Sequence, residues 1–160
     1  MVAHILLRTL LASALALAAQ TVAAPRPLEG TYWKAIELEG KPVPSQDSSR
    51  EAYLLLKDES RVSGFDGCNR IAGRWEVKRS TIKFSEMAAT QMACLDTSGI
   101  DAAFRSALTS ATELRIVGER LELFGGWAKT RMFGRFRKRR VAVFEAVSSR
   151  PADSADPEKH

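Results

Sequence analysis

Residues 70–78, RIAGRWEVK, follow the strictest pattern in the chain. Every second residue from Ile71 to Val77 is apolar or glycine, and most of the residues between them are charged. Because successive side chains on a strand point to opposite faces, this period of two predicts a half-buried strand. Residues 81–84 repeat the pattern over a shorter length. The two segments together predict an antiparallel sheet.

Further segments have the apolar content or alternation of short strands, with turn residues between them. They are residues 32–38, 52–57, 61–66, 113–117, 121–124 and 141–147. Over residues 99–111 the apolar spacing changes to three and four, which predicts one amphipathic helix. Ser98 and Asp101 have the spacing of a capping box at its start. The sequence therefore predicts a mostly β (α+β) fold, a single antiparallel, barrel-like sheet of about eight short strands with the helix after the fifth.

The N-terminal residues 1–24 have the features of a secretory signal peptide. One arginine precedes the apolar run TLLASALALAA, and the small residues TVAA follow it. This run is shorter than the ~20 residues that span a bilayer as a helix, so cleavage after Ala23 or Ala24 is favoured over a retained membrane anchor. No cysteine lies near the cleavage site, which argues against a lipoprotein. We expect an exported protein, periplasmic in a Gram-negative host, with a domain over residues 25–147 and a disordered tail over residues 148–160.

The chain contains two cysteines, Cys68 and Cys94. An exported protein meets an oxidising environment, in which a pair of cysteines usually forms a disulfide. The spacing differs from the C-x-x-C motif of thiol oxidoreductases, and two thiolates without histidine are too few for a tetrahedral zinc site. A structural disulfide is therefore the favoured interpretation, while free structural thiols and redox or metal roles remain open.

Histidine is absent from the predicted domain, because the two histidines of the chain are His4 and His160. Histidine is the most frequent general base and a common activator of nucleophilic side chains. The sequence also has no nucleophile motif, no phosphate-binding loop and no carboxylate pair whose spacing indicates acid–base catalysis. We therefore predict a protein that is not an enzyme and that uses no metal or cofactor.

Two motifs in the middle of the chain carry a resemblance to a known family. The first is G-C-N-R followed by a glycine, here Gly67, Cys68, Asn69, Arg70 and Gly73. The second is A-x-T-x-M-x-C, here Ala88, Thr90, Met92 and Cys94. Their order and spacing, with ELEGKPV before them and ERLELF after them, resemble the META domain, the HslJ-like, heat-shock-inducible family. The likeness covers residues 28–147, nearly all of the predicted mature chain.

The resemblance implies a mostly β fold with an inserted helix, an envelope location and a link to stress, but no reaction. Asn69 and Arg70 could form a polar binding site beside the cysteine. The favoured role of Asn69 is instead a turn or a local backbone hydrogen bond. Residues 90–92 could line a small cleft, but a buried connection between strand and helix is favoured. The chain departs from the family in lacking a lipid-modified cysteine and in the length of its last hairpin.

Residues 125–140, GGWAKTRMFGRFRKRR, are the most unusual stretch of the chain. Seven of them are basic and none is acidic, and aromatic residues are interleaved. Because the whole chain has a formal charge of +5, the remainder is acidic and the positive charge is local. The candidate docking residues are Trp127, Lys129, Arg131, Phe133, Arg135, Phe136, Arg137, Lys138, Arg139 and Arg140.

These residues fit two main interpretations. In the first, they form an extended β-hairpin whose aromatic residues complete the core while the basic side chains stay in solvent. In the second, they dock the protein on an anionic membrane surface, phospholipid or lipopolysaccharide. Single-stranded nucleic acid would suit the same composition, but export argues against it. The sequence thus predicts a monomeric, exported envelope protein with a non-enzymatic, stress-related accessory or binding role, whose partner would be an anionic membrane surface or an envelope protein.

Overall fold

The computed structural model describes residues 24–45, 50–94, 99–129 and 136–147. These residues form nine strands and one helix. The strands are β1 (Tyr32–Leu38), β2 (Lys41–Pro42), β3 (Tyr53–Leu56), β4 (Arg61–Phe65), β5 (Arg70–Lys78), β6 (Thr81–Ala89), β7 (Ala111–Val117), β8 (Arg120–Lys129) and β9 (Phe136–Val147), and helix α1 (Ile100–Ser110) lies between β6 and β7. All but the last residue of the predicted signal peptide, and the whole predicted tail, lie outside the described residues.

All nine strands belong to one antiparallel sheet in the order β2-β1-β3-β4-β5-β6-β7-β8-β9, and β1 also pairs with β9. This additional pairing closes the sheet into a ring. The ring is not a regular barrel, because β6 and β7 share a single paired position, Thr81 with Glu113, whereas β8 and β9 pair along most of their length. The mostly β fold with one inserted helix that the sequence predicts is confirmed.

The apolar faces of the strands and one face of α1 form the core. The helix packs on β1, β8 and β9, and Phe104 lies edge-on to Phe144 with ring centroids 5.8 Å apart. Trp33 is fully buried, and its indole N–H donates to the carbonyl oxygen of Leu28 at 3.0 Å. Full burial of a side chain such as Phe104 stabilises a fold by about 1.5–3 kcal/mol, so the helix is an integral part of the core.

The structure has nine strands where the sequence predicts about eight, and the short strand β2 is the additional one. Lys41 pairs with Leu38 around the two-residue turn formed by Glu39 and Gly40, both of which have positive φ. Positive φ at both central residues is the geometry of a type I′ hairpin turn. Because this segment lies between the predicted strands at residues 32–38 and 52–57, its pairing adds a strand, and the helix follows the sixth strand and not the fifth.

Helix α1 begins one residue later than the predicted capping box requires. Its N-cap is Gly99 in the left-handed conformation, with no side-chain cap hydrogen bond. Asp101 instead accepts a hydrogen bond of 3.0 Å from Arg105, one turn further along the helix. Within the described ranges, no helix is long and apolar enough to cross a membrane.

Gly73 lies opposite a bulge in β6. It alone separates Ala72 from Arg74 on β5, and it faces two residues of β6, Glu86 and Met87. Glu86 has a φ of 52°. A Cβ atom at Gly73 would lie 2.5 Å from the Sδ atom and 3.1 Å from the Cα atom of Met87. The motif glycine is therefore required by the close approach of the two strands at this bulge.

The last hairpin is long, as the first interpretation of residues 125–140 predicts. Strand β8 continues to Lys129 and pairs there with Phe136, the first residue of β9. Gly125 lies against the end of α1, and a Cβ atom at this position would be 1.9 Å from the carbonyl oxygen of Ser110. The tip of the hairpin, residues 130–135, lies outside the described residues.

Candidate functional site

Cys68 and Cys94 form a disulfide, with Cα atoms 5.9 Å apart. This confirms the favoured interpretation of the two cysteines. Cys68 is buried, whereas Cys94 is exposed. The bond ties the segment that follows β6 to the loop that precedes β5. Residues 66–70 and 90–94, together with Arg105, are called the motif corner below.

Asp66 organises the first half of the motif corner. Its side chain is fully buried, and Oδ1 accepts the backbone N–H groups of Cys68 at 3.0 Å and Asn69 at 2.6 Å. Gly67 within this turn has a φ of 95°, which favours glycine. Oδ2 accepts a hydrogen bond of 2.6 Å from Arg105 Nη1. The buried carboxylate thus shapes the loop of the G-C-N-R motif and attaches it to α1.

Asn69 joins the two motifs. Its Oδ1 atom accepts the backbone N–H of Met92 at 2.8 Å and the hydroxyl group of Thr90 at 3.3 Å. The Thr90 hydroxyl oxygen also accepts the backbone N–H of Arg70 at 3.1 Å. The expected local backbone hydrogen bond is present, because the carbonyl oxygen of Asn69 accepts the N–H of Asp66 at 3.0 Å. The Asn69 side chain adds long-range bonds to partners 21 and 23 positions along the chain. Residues 90–92 are all exposed, Met92 by 61%, so the expected burial of this connection is wrong.

The motif corner is therefore a cross-link between strands. The structure brings together the motif residues Gly67, Cys68, Asn69, Arg70, Thr90, Met92 and Cys94, and it places Gly73 at the bulge. The roles of Asp66 and Arg105 in this corner were not predicted from the sequence. An aspartate two residues before the cysteine, in an Asp-Gly pair, is a turn signal that could have identified Asp66.

The basic residues at the start of β9 are paired with acidic residues of other strands and turns. The pairs are Lys138–Glu113 (2.5 Å), Arg139–Glu39 (2.5 Å), Arg140–Glu37 (2.9 Å) and Arg140–Glu122 (3.3 Å). Arg137 is exposed and has no acidic partner among the described residues. The acidic remainder of the chain thus neutralises much of the charge at this end of the hairpin.

The other candidate docking residues are only partly described. Trp127, Lys129 and Phe136 lie on the paired backbone of β8 and β9, and nothing further is described for their side chains. Arg131, Phe133 and Arg135 lie outside the described residues. The described part of the hairpin therefore contributes the cations of residues 137–140.

An open groove of about 730 Å³ crosses the outer face of β7, β8 and β9. It is lined by Ser80, Glu113, Leu114, Arg115, Phe124, Arg137, Lys138 and Arg140. Phe124 pairs with both Glu113 and Arg140, so these three side chains share the outer face of the sheet. The volume falls in the range of small-molecule binding sites. These eight residues are called the cationic groove below.

Arg115 is the one cation of the cationic groove that lies outside residues 125–140. Its guanidinium lies over the ring of Phe124, with the Cζ atom 5.4 Å from the ring centroid. Glu122 accepts hydrogen bonds from Nε and Nη2 of Arg115 at 2.9 and 2.5 Å. No sequence spacing links Arg115 to the basic residues of β9, because the pairing of three strands brings them together.

A second cavity, of about 150 Å³, lies beside β1 next to the ion pair between Lys34 and Glu51. This volume is below that of typical ligand pockets. Elsewhere in the described part of the chain, no three His, Cys, Asp or Glu side chains are grouped as metal ligands.

A family model for the META domain matches residues 26–139. The chain belongs to the META domain family. Its fold is similar to the NMR structure of a protein from Burkholderia xenovorans, which is 25% identical, with a TM-score of 0.54 over 79% of this chain and 94% of that chain. A second NMR structure is 17% identical, with a TM-score of 0.54 over 74% of this chain and 90% of that chain, and shows the fold alone. A comparison with curated proteins found no match.

The structure extends this META domain beyond the matched range. Strand β9 continues to Val147 and pairs with β1 from Leu38 to Tyr32, which closes the ring. Arg140, at the centre of the ion pairs, also lies after the matched range. The closing strand and part of the cationic groove are therefore features that the family match does not cover.

Proposed function

We propose that this META domain is an exported, non-enzymatic accessory protein of the cell envelope that docks on an anionic lipid surface. The observation that carries the proposal is the cationic groove, in which four basic side chains face one lining acid, Glu113. The stress-related role implied by family membership is part of the same proposal.

Export is supported by the disulfide, and the contacts that follow the predicted cleavage site are compatible with cleavage. A disulfide is compatible with an oxidising compartment. Directly after the predicted cleavage site, Arg26 pairs with Glu119 at 2.6 Å, and the carbonyl oxygen of Leu28 accepts the Trp33 indole N–H. Cleavage after Ala24 would leave these contacts intact.

Docking is supported by the arrangement of charge on β9. The four successive basic residues at 137–140 lie at the start of one strand, and Arg137 has no described acidic partner. The paired cations are in partly exposed ion pairs, which contribute about 0–1 kcal/mol each, so lipid phosphates can compete with the carboxylates. Each basic residue near an anionic membrane contributes about 1 kcal/mol of binding free energy.

Co-sedimentation with lipid vesicles tests the proposal. The protein is mixed with phosphatidylglycerol vesicles or with phosphatidylcholine vesicles, at low and at high salt. We expect sedimentation with the anionic vesicles alone and its loss at high salt, because screening shortens the range of the attraction. Equal binding to both lipids, or no binding to either, would contradict the proposal, and the second result would redirect attention to an envelope protein as partner.

A further inference from the structure

The cationic groove has a fixed geometry that a general docking surface does not need. Glu122, whose side chain is only 12% exposed, bonds Arg115 through Oε2 and Arg140 through Oε1. Glu37 accepts further bonds from Nε and Nη2 of Arg140 at 2.9–3.1 Å. Two guanidinium groups on different strands are therefore held in place by a shared carboxylate before any ligand binds.

The bonds to the acids leave donors for a ligand. Glu122 uses Nε and Nη2 of Arg115, and among the described residues Nη1 has no acceptor. The whole guanidinium of Arg137 is likewise without a described acceptor. Arginine is suited to phosphate because its N–H groups form a planar fork that matches the oxygens.

The charge of the groove is positive but small. Its lining cations are Arg115, Arg137, Lys138 and Arg140, and its lining acid is Glu113. Glu122 and Glu37 lie behind Arg115 and Arg140 and balance two further charges. One positive charge remains, which suits a ligand with a single anionic group better than a polyanion.

The groove is also larger than an inorganic anion and has an aromatic floor. Phe124 is half-buried between Glu113 and Arg140, and Arg115 lies over its ring. The volume of about 730 Å³ leaves room for an organic group beside the anion. The hydroxyl group of Ser80 lies on the same lining.

We infer that the cationic groove binds one phosphate monoester, with the phosphate between Arg115, Arg137 and Arg140 and the organic part on Phe124. A phosphate offers three terminal oxygens to three cations on two strands, whereas a carboxylate offers two oxygens in one plane. The inference rests on the proposed function for the location of the ligand, since the monoester headgroup of phosphatidic acid and a soluble phosphate monoester share this chemistry. It adds Arg115, a residue outside the basic run, as a direct ligand contact.

The test is an NMR titration of the full chain, expressed with its own leader and labelled with 15N. Phenyl phosphate is the main probe, and inorganic phosphate and benzoate are the comparison probes. We expect saturable shifts of the backbone amides of residues 113–115, 122–125 and 137–140. Phenyl phosphate is expected to bind more tightly than inorganic phosphate because its ring adds contact with Phe124, and more tightly than benzoate. Shifts that do not saturate, shifts at another surface, or equal affinity for the three probes would overturn the inference.

Substitution of Arg115 tests the phosphate site separately from the basic run of β9, because Arg115 lies outside that run. Arg115→Gln is expected to weaken phenyl phosphate binding by about tenfold, the value of one charge-assisted hydrogen bond. Arg115→Lys should recover part of the affinity, and Arg74→Gln, an exposed arginine of β5, should have no effect. Unchanged affinity in Arg115→Gln, with a well-dispersed spectrum that shows a folded protein, would overturn the assignment.

The source of the phosphate is distinguished by competition. If vesicles of phosphatidic acid displace phenyl phosphate, the groove binds a lipid headgroup and supports docking. If they do not, and phenyl phosphate still binds with the expected shifts, the phosphate site is correct and the ligand is a soluble ester. In that case the proposed membrane docking fails while the inference stands.

Discussion

The buried carboxylate of Asp66 accepts a hydrogen bond of 2.6 Å from the guanidinium of Arg105, which is 43% exposed. The carboxylate belongs to the loop of the G-C-N-R motif and the guanidinium to helix α1. The pair therefore connects the most recognisable part of the sequence to the helix that completes the core. It also gives the motif corner a role in stability that can be measured.

Removal of the Arg105 cation should lower the free energy of unfolding more when the Asp66 carboxylate is present than when it is absent. Arg105→Gln leaves Asp66 buried without a cation and is expected to lower the free energy of unfolding by about 2 kcal/mol, less than for a fully buried pair because Arg105 is partly exposed. In the background of Asp66→Asn the same substitution should cost at least about 1 kcal/mol less. Urea denaturation of the four proteins gives the coupling energy. Additive effects would show that the pair does not act as a unit.

The amide of Asn69 should stabilise the fold through its long-range bonds. Asn69→Ala removes the acceptor of the Met92 N–H and of the Thr90 hydroxyl and is expected to cost about 1–2 kcal/mol. Gln91→Ala changes an exposed neighbour and is the matched control, with an expected change below about 0.5 kcal/mol. Chemical denaturation with both variants checks the difference. A cost for Asn69→Ala no larger than that of the control would argue against the cross-link.

Reduction of the disulfide should lower stability without removing the fold's other contacts. Closure of the loop between Cys68 and Cys94, which are 26 positions apart, is expected to contribute about 3–4 kcal/mol. The double substitution to serine and the reduced wild type should therefore unfold at similar, lower urea concentrations. Thiol titration of the native protein provides the first check, and two reactive thiols before reduction would contradict the bond.

Gly125 should tolerate no side chain. A Cβ atom there would lie 1.9 Å from the carbonyl oxygen of Ser110, which belongs to the end of a packed helix and cannot move freely. Gly125→Ala is expected to cost about 3 kcal/mol or more, within the range of severe overpacking. Gly118→Ala, at a turn with positive φ and open space around it, should cost about 1 kcal/mol. Thermal unfolding that ranks the two variants in the opposite order would contradict this account.

Much of the sheet could be predicted because its signal is local. The alternation of residues 70–78 corresponds to β5, and the apolar spacing of residues 99–111 corresponds to α1, since both depend on neighbouring positions alone. The closure of the ring by β1 and β9 carries no comparable signal, because it joins the two ends of the domain. The short β2 was missed because two exposed residues have no periodicity.

The candidate sites depend even more on pairing between distant strands, which has no local signal in the sequence. The charge run of residues 137–140 is visible in the sequence, but its partners Glu37, Glu39, Glu113 and Glu122 come from three other strands and a turn. Without the pairing of those strands, the run has the pattern of a free cationic patch. The role of Arg115 has the same origin, since it reaches the groove only through the register of β7 with β8.

Vesicle binding of a targeted variant tests the central claim most directly. The double variant Arg137→Gln, Lys138→Gln removes two charges of the cationic groove from β9, and the control Arg74→Gln, Arg120→Gln removes two exposed charges elsewhere on the sheet. The account predicts that binding to phosphatidylglycerol vesicles at low salt falls about 30-fold in the β9 variant, or about 1 kcal/mol for each residue, and much less in the control. Equal loss of binding in the two folded variants would mean that overall charge, and not the cationic groove, brings this protein to the membrane.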